Sequence, residues 1–317
     1  MKRTVSVILC SHNRAGHLEG TLRSLRDVRV PERWTAELIL VDNASTDTTP
    51  EVMRAFDHPE MEVRVVREEK KGLSNARNRG VEEAQGQVLL FTDDDVRFPS
   101  DWIEEMGRPI LQGAADGVAG GVELAEEIKG EWMTVRHRGL MASTEQIDPE
   151  EPERIVGANM AIARKVFAVI PEFDPALGAG KLGKGEEQLF SWQMRRAGFQ
   201  IETAFDVVVE HHPDPSRLSR QGFRTTAKEI GRAEAYINYH WRGHTGWSRA
   251  TLAAGLVYWA AKLAWWRLCN VQRIQSEGMS LEEIGILKRL YRTRQHLREK
   301  GHRPKYAQEK SSQKDEA

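Results

Sequence analysis

The protein has 317 residues, enough for two domains of ordinary size or for one large domain. Hydrophobic residues make up 40% of the chain and charged residues 29%, a composition that excludes a disordered or fibrous protein. Lys and Arg number 46 against 47 Asp and Glu, so the net charge of −1 gives no overall attraction to nucleic acid.

Apolar strand-like runs alternate with helical patterns in the first half of the chain, which is typical of a parallel sheet built from βα units. The predicted elements are strand Val5–Cys10, helix His17–Leu25, strand Glu37–Val41, helix Thr48–Phe56, strand Val63–Arg67, helix Ser74–Ala84, strand Val88–Thr92, helix Asp101–Leu111, strand Gly117–Val122, strand Ile155–Ala163, helix Glu187–Ala197 and strand Ile201–Val209. From residue 219 to near residue 300 the pattern is helical. The sequence therefore predicts an α/β fold, with a mostly parallel sheet flanked by helices and a C-terminal helical extension.

Polar residues follow three of the predicted strands at their carboxyl ends. They are residues 11–14 after the first strand, 42–45 after the second, and Asp93-Asp94-Asp95 after the fourth. Ligands of open parallel sheets bind at the carboxyl ends of the strands, so the three clusters predict a single crevice. One such cluster would be interpreted as a solvated turn, but three at one edge of a sheet favour a site.

The three adjacent acids at positions 93–95 carry the strongest local signal for chemistry. Like charges at the end of a buried strand repel one another unless a cation joins them. Carboxylates suit Mg²⁺ or Mn²⁺, and Mg²⁺ is typically held by one or two carboxylates plus substrate phosphates. The alternative is an acidic cap for the helix near Trp102, so the tripeptide alone is moderate support for a metal site.

Short motifs occur in a fixed order over residues 4–215. They are Ser6–Arg14, Leu40–Asp47, Gly72–Gly80, Phe91–Asp95 followed by Trp102, Gly157–Asn159 and Gly185–Glu187. This set resembles the family 2 glycosyltransferases, which have the Rossmann-like GT-A fold. The resemblance implies an enzyme that moves a sugar from a nucleotide sugar, in most cases a UDP-sugar, to a hydroxyl of a glycan, a glycolipid or a small molecule.

The resemblance also implies roles for individual residues in binding the donor. Asp42 lies where the family binds the nucleotide base, usually uracil, and His12 lies where an aromatic ring often packs on that base. Arg77 occupies the basic position that faces the nucleotide. Considered alone, Asp42 fits an Asx turn equally well, and Arg77 fits a solvated helix charge better. The predicted nucleotide- and substrate-binding residues are Ser11, His12, Asn13, Arg14, Asp42, Asn43, Ser45, Arg77, Asp93, Asp94 and Asn159.

A divalent cation, Mn²⁺ or Mg²⁺, is the implied cofactor. Asp93 and Asp95 match the two acids of the family's D-x-D motif, and Asp95 is the first candidate ligand. His211 is a further candidate, because family members place a metal-binding histidine here and a neutral imidazole can complete a Mn²⁺ shell. The alternative is that His211 and His212 form a solvent-exposed pair at a strand end.

Two acids, Glu186 and Glu187, open a predicted helix. Acids in a first helical turn interact favourably with the helix dipole, so ordinary capping is the alternative to a functional role. The family usually has Glu-Asp here, and its acid deprotonates the acceptor hydroxyl. We expect Glu187 to be the general base, with Glu186 supporting or replacing it, although the extra methylene of Glu187 displaces the carboxylate.

The C-terminal third has an unusual composition. Residues 235–276 contain no acid, five Lys or Arg, and five of the nine tryptophans of the chain. The most apolar stretch, 252–269, approaches the length of a membrane-spanning helix, but Lys262 and Arg267 interrupt it. Three alternatives remain for residues 241–270: they contact a membrane surface, they pack on the catalytic domain, or they form a homodimer.

The predicted domains are a GT-A catalytic domain over residues 1–215, a helical region over 216–300 and a charged flexible tail over 301–317. Cys10 and Cys269 are too few for a disulfide framework, which favours a reducing compartment. The protein is therefore expected in the cytoplasm, either free or peripheral on the inner face of the membrane, with no nucleic-acid partner.

Two other functions are compatible with parts of this pattern. A nucleotidyltransferase would also place carboxylates and a metal around phosphates, but it needs a basic glycine-rich loop where this chain has residues 11–14, Ser-His-Asn-Arg. A non-catalytic scaffold at a membrane surface would explain the tryptophan-rich helices. The acids retained at all the motif positions argue against it.

Overall fold

The computed structural model describes residues 4–148, 155–271 and 278–306. The chain forms two compact units. The first, the sheet unit, comprises Met1–Lys181 with Glu186–Pro213, and the second, the helical unit, comprises Leu182–Gly185 with Asp214–Ala317. Most of the tail predicted over 301–317 lies outside the described residues.

The sheet unit is built on one eight-stranded sheet with the order β3-β2-β1-β4-β7-β6-β8-β5. Its strands are β1 (Val5–Ser11), β2 (Ala36–Asp42), β3 (Met61–Arg67), β4 (Val88–Thr92), β5 (Val96–Arg97), β6 (Gly117–Leu124), β7 (Asn159–Ala163) and β8 (Ile201–His211). The pairs β1–β2, β1–β4, β2–β3 and β6–β8 are parallel, whereas β7 runs antiparallel to β4 and β6, and β5 runs antiparallel to β8.

Helices flank this sheet on both faces. They are α1 (Ala15–Leu25), α2 (Thr49–Ala55), α3 (Leu73–Glu83), α4 (Trp102–Leu111), α5 (Val135–Leu140) and α6 (Glu186–Arg196). The predicted α/β class, with a mostly parallel sheet flanked by helices, is confirmed.

The central strand β1 shows why the apolar runs form this sheet. All seven of its residues are buried. Val5, Val7 and Leu9 pack in one core with side chains of α1 and α4. Ile8 and Cys10 pack in a second core with side chains of α3 and α6. Since strand side chains alternate between faces and both faces are covered, the strand is apolar at every position except Ser6 and Ser11.

Some predicted boundaries differ from those observed. The strand predicted from Ile155 begins only at Asn159, because Gly157 and Ala158 form a turn in which Val156 bridges to Asn159. The helix predicted from Glu187 begins one residue earlier, at Glu186.

The helical unit contains α7 (Arg220–His240), α8 (Arg249–Cys269) and α9 (Leu281–Glu299), and α9 contacts both of the others. The helical pattern predicted from residue 219 breaks between α7 and α8, where Gly243 has φ 71°. This left-handed conformation suits glycine and ends a helix. Residues 272–277 of that prediction lie outside the described residues. None of the helices that the structure describes combines the length and apolarity needed to cross a membrane.

Candidate active site

The polar strand ends predicted to converge do lie side by side. β1 pairs with β2 on one side and with β4 on the other, and all three strands run parallel. The chain proceeds outward from β1 to β2 and β3, then returns to the other side of β1 as β4. Such a reversal is a topological switch point, where the loops diverge and leave a crevice at the carboxyl ends of the strands.

The loops after β1 and β2 interlock at this crevice. His12 Nδ1 donates to the carbonyl of Asn43 at 2.7 Å, and Asn13 N donates to Ser45 Oγ at 3.1 Å. Asn13 and Ala44 have φ values of 52° and 54°, so each loop turns sharply through the left-handed region. These hydrogen bonds hold the two predicted base-binding segments in one surface.

Asp42 ends β2 and is almost completely buried. Its Oδ1 accepts from Ser45 N at 3.0 Å, and its Oδ2 accepts from Arg67 Nη1 at 2.5 Å. Asp42 therefore makes a local bond to the backbone three residues on, one residue further than the Asx turn that was one interpretation of the sequence, and it also holds a partly exposed arginine. Arg67 was not identified from the sequence, although its position at the end of β3, in register with Asp42, is a signal that could have identified it.

The acidic run after β4 is neutralised mainly from β1. Ser11 Oγ donates to Asp94 Oδ2 at 2.5 Å, and Arg14 contacts both Asp94 and Asp95, at 2.8 and 2.6 Å. Burial raises the pKa of Asp94 to about 7, with repulsion from Asp95 adding to the effect and the charge of Arg14 opposing it. The residues at the carboxyl ends of β1 and β4 thus form one charged network.

His211, at the end of β8, completes this network from the other side of the crevice. Its Nδ1 donates to the carbonyl of Met141 at 2.8 Å, and its Nε2 lies 3.2 Å from Asp95 Oδ1. Both side chains are buried. This arrangement places Nε2 against a carboxylate oxygen, and a cation bound to both atoms would stabilise it.

We tested whether these residues fit a divalent cation. In the parts of the chain that the structure describes, no three His, Cys, Asp or Glu side chains are arranged to hold a metal by themselves. Asp95 and His211 supply one oxygen and one nitrogen that already converge. A shell of one or two carboxylates completed by substrate phosphates is ordinary for Mg²⁺, and an imidazole suits Mn²⁺, so the residues fit a cation that binds together with a phosphate ligand.

Arg77, on α3, connects the acidic run to the first turn of α6. Its guanidinium contacts Asp93 Oδ1 at 3.2 Å and Glu186 Oε1 at 2.9 Å, and its side chain is only 2% exposed. The ring of Phe173 lies 5.8 Å from the guanidinium carbon. The sequence interpretation of Arg77 as a solvated charge is therefore wrong, because the residue bridges two acids that are far apart in the chain.

Comparison with known proteins identifies this arrangement. The family model for glycosyl transferase family 2 matches residues 6–170, more than half of the chain. The chain belongs to glycosyl transferase family 2. The match spans β1 to β4 and continues through β7, and therefore includes most of the crevice described above.

Two related glycosyltransferases come from a bacterium and an archaeon. The chain is 36% identical to the putative teichuronic acid biosynthesis glycosyltransferase TuaG of Bacillus subtilis over 105 residues, which cover 33% of this chain and 40% of TuaG. It is 28% identical to the glycosyltransferase AglE of Haloferax volcanii over 233 residues, covering 71% of this chain and 73% of AglE.

A solved structure supports the same assignment of fold. The mannosyltransferase PcManGT of Pyrobaculum calidifontis, in complex with GDP-Man and Mn²⁺, superposes with a TM-score of 0.60 at 17% identity, covering 94% of this chain and 88% of that one. The predicted GT-A fold is thereby confirmed.

The first turn of α6 in this glycosyltransferase contains two acids in different surroundings. Glu186 is buried against Arg77; burial raises its pKa to about 8, with repulsion from Glu187 adding to the effect and Arg77 opposing it. Glu187 Oε2 is buried and has no hydrogen-bond partner among the described residues. An unsatisfied carboxylate oxygen is costly, so this atom is available to accept a hydrogen bond from a ligand.

Asn159 is the one predicted binding residue that the glycosyltransferase does not bring into these networks. Its amide is fully buried: Oδ1 accepts from Trp102 Nε1 at 2.8 Å, and Nδ2 donates to the carbonyls of Gly121 and Val207 at 2.9 and 2.8 Å. These contacts join α4, β6, β7 and β8, and they indicate that Asn159 and Trp102 belong to the support beneath the crevice.

Proposed function

We propose that this glycosyltransferase is a metal-dependent, inverting enzyme that transfers a sugar from a nucleoside diphosphate sugar to an acceptor hydroxyl. The observation that carries the proposal is the bridge formed by Arg77 between Asp93 and Glu186. This contact fixes the acidic run, where a phosphate ligand would be held, relative to the turn that contains Glu187. The buried guanidinium of Arg77 can therefore orient both the sugar donor and the base.

The loops after β1 and β2 are suited to the nucleoside. His12 and Arg67 offer an imidazole and a partly exposed guanidinium, and the buried carboxylate of Asp42 holds Arg67 in place. Arg14 lies next to Asp94 and Asp95, where the two phosphates of a donor would add negative charge. The complex of PcManGT with GDP-Man and Mn²⁺ supports this class of donor.

A Mn²⁺ or Mg²⁺ ion held by Asp95 and His211, when bound, would offset the negative charge of the departing diphosphate. Asp93, which the resemblance also offered as a ligand, contacts Arg77 instead. We assign Asp93 the task of positioning Arg77 and the turn after β4.

Glu187 is proposed as the general base. The acceptor oxygen forms its bond to the anomeric carbon while the bond from that carbon to the diphosphate oxygen breaks, and the acceptor proton passes to Glu187 Oε2. One displacement from the opposite face inverts the anomeric centre. Glu186, which holds a proton more readily than an ordinary carboxyl, lies beside it and keeps Arg77 in place.

We further propose that α8 lies on a membrane surface. Val257, Trp265 and Leu268 are 71%, 70% and 73% exposed, which is unusual for large apolar side chains. The absence of acids from residues 235–276 favours an anionic lipid surface over another protein. Cosedimentation with phosphatidylglycerol vesicles should be lost in Trp265→Glu/Leu268→Glu. Concentration-dependent dimerisation without vesicle binding would contradict this assignment and favour a homodimer.

The test of the catalytic proposal has two stages. A thermal-shift panel of nucleotide sugars with Mn²⁺ identifies the donor, because a ligand that binds the native state raises the melting temperature. NMR of the product then compares its anomeric configuration with that of the donor. Glu187→Gln should bind the donor but fail in transfer, whereas the exposed Glu202→Gln should behave as wild type. Retention of configuration, or full transfer by Glu187→Gln, would refute the mechanism.

A further inference from the structure

The helical unit contains a cavity of about 230 Å³ that takes no part in the mechanism above. It is lined by Lys228 and Arg232 of α7 and by Tyr291, Arg294, Gln295 and Arg298 of α9. The α7 residues are spaced four apart, and the α9 residues follow the i, i+3, i+4, i+7 pattern. Each set therefore lies on one face of its helix.

The four basic residues of this cavity have no acidic partner within the described parts of the chain. None of them forms an ion pair with any carboxylate that the structure describes, whereas other cations of the same two helices do. Lys288, for example, lies 2.5 Å from Glu234, and Arg292 contacts the same carboxylate. Four like charges around a small concave space repel one another, and an anion bound between them would relieve that repulsion.

Two polar groups at the cavity are also unsatisfied. Arg232 Nε and Gln295 Oε1 are buried and have no hydrogen-bond partner among the described residues, and the Gln295 side chain donates instead to Glu299 through Nε2. Leaving a buried donor or acceptor unpaired costs free energy that a ligand could recover. Arg232 Nε needs a hydrogen-bond acceptor and Gln295 Oε1 needs a hydrogen-bond donor. A suitable ligand therefore carries both anionic oxygens and a hydroxyl.

We propose that this cavity is a binding site for a phosphate group that also carries a hydroxyl. Guanidinium groups recognise phosphate oxygens through paired, charge-assisted hydrogen bonds, and Arg232, Arg294 and Arg298 can approach one tetrahedral group from two helices. Hydrogen phosphate has the required chemistry, and so do sugar phosphates and the headgroup of phosphatidylglycerol. The site is separate from the donor crevice and does not depend on the proposed catalytic mechanism.

Isothermal titration of the full chain with inorganic phosphate tests the site. EDTA is present throughout, so that metal-dependent phosphate binding in the crevice does not contribute, and NaCl keeps the ionic strength constant. Arg294→Gln/Arg298→Gln should weaken phosphate binding at least about tenfold, because the charge-assisted hydrogen bonds of two guanidinium groups to the anion are lost. The control is Arg289→Gln/Arg292→Gln, which removes the same charge from α9 outside the cavity and should bind phosphate as wild type does.

A second arm distinguishes the source of the phosphate. If the natural ligand is a lipid headgroup, phosphatidylglycerol vesicles should bind wild type more tightly than the cavity variant, and inorganic phosphate should compete. If it is a free phosphate compound, glycerol phosphate should bind in solution while vesicle binding is unchanged by the cavity variant. Phosphate binding that is absent in wild type, or that falls equally in both double variants, would overturn the proposal.

Discussion

Replacement of Arg77 by Met should destabilise the sheet unit strongly, and the structure indicates which contact is responsible. The side chains of Arg77 and Glu186 are 2% and 5% exposed and lie 2.9 Å apart, whereas Asp93 is 32% exposed and can be solvated by water. Removing one partner of a buried ion pair typically costs about 3–5 kcal/mol. We therefore expect Arg77→Met to lower the free energy of unfolding by that amount at pH 9, where Glu186, whose pKa is about 8, is largely ionised and loses its partner.

A double variant separates this cause from a general loss of packing. At pH 9, Arg77→Met combined with Glu186→Gln removes the unpaired carboxylate charge and should recover at least about 2 kcal/mol relative to Arg77→Met alone. Urea unfolding followed by circular dichroism measures the free energies, with the slope checked for two-state behaviour. A double variant no more stable than Arg77→Met would refute the assignment of the cost to Glu186.

The same experiment has a defined dependence on pH. The pKa of Glu186 is about 8 in the folded protein, above its ordinary value of 4.5, so the folded state binds the proton more tightly than the unfolded state. Its contribution to stability is complete below pH 4.5 and is lost as the pH rises through 8. Without Arg77 the pKa should rise further. The cost of Arg77→Met should then be larger at pH 9 than at pH 5, and an equal cost at both would contradict this explanation.

Three other predictions concern the base, the thiols and the support of the crevice. Glu187→Gln should lower the transfer rate by about 10²–10⁴-fold and leave the affinity for the sugar donor unchanged. Glu187→Asp, which restores the acid usual in the family, should keep much more activity. Equal transfer rates for the two variants would contradict the role of Glu187 as the base. Burial raises the pKa of the Cys10 thiol to about 12, so iodoacetamide should modify only the exposed Cys269 in the native protein. Mass spectrometry that finds Cys10 alkylated would show that β1 opens in the native protein. Asn159→Ala removes the three hydrogen bonds of the buried amide and should cost about 2–4 kcal/mol in urea unfolding. A cost below about 1 kcal/mol would contradict the supporting role of the amide.

The fold and the strand-end clusters could be predicted from the sequence because their signals are local. A strand covered on both faces, such as β1, is apolar at most positions, and the polar residues at its carboxyl end mark where it stops. The order of the βα units along the chain then predicts that the carboxyl ends of β1, β2 and β4 lie side by side. Asp42, Asp94 and Asp95 lie where this reasoning expected them.

The partners of the site residues could not be predicted in the same way. Arg77 contacts Glu186 across 109 residues, and His211 contacts the carbonyl of Met141 across 70, so neither contact leaves a pattern in the neighbouring sequence. From the sequence alone, an arginine on a mostly polar helix such as α3 is expected to face solvent. Its burial becomes evident only when the positions of Asp93, after β4, and of Glu186, in the first turn of α6, are known. The complete burial of the Asn159 amide likewise depends on three elements that meet only in the folded sheet.

We expect Asp95 and His211 to hold a divalent cation that transfer of the sugar requires. The most direct measurement is the rate of transfer, with the donor identified by the thermal-shift panel, after treatment with EDTA and after addition of Mn²⁺. Wild type and Asp206→Asn, an exposed control on β8, should lose activity in EDTA and regain it with Mn²⁺, whereas Asp95→Asn should not regain it. Full activity of wild type and Asp95→Asn without metal would contradict the claim.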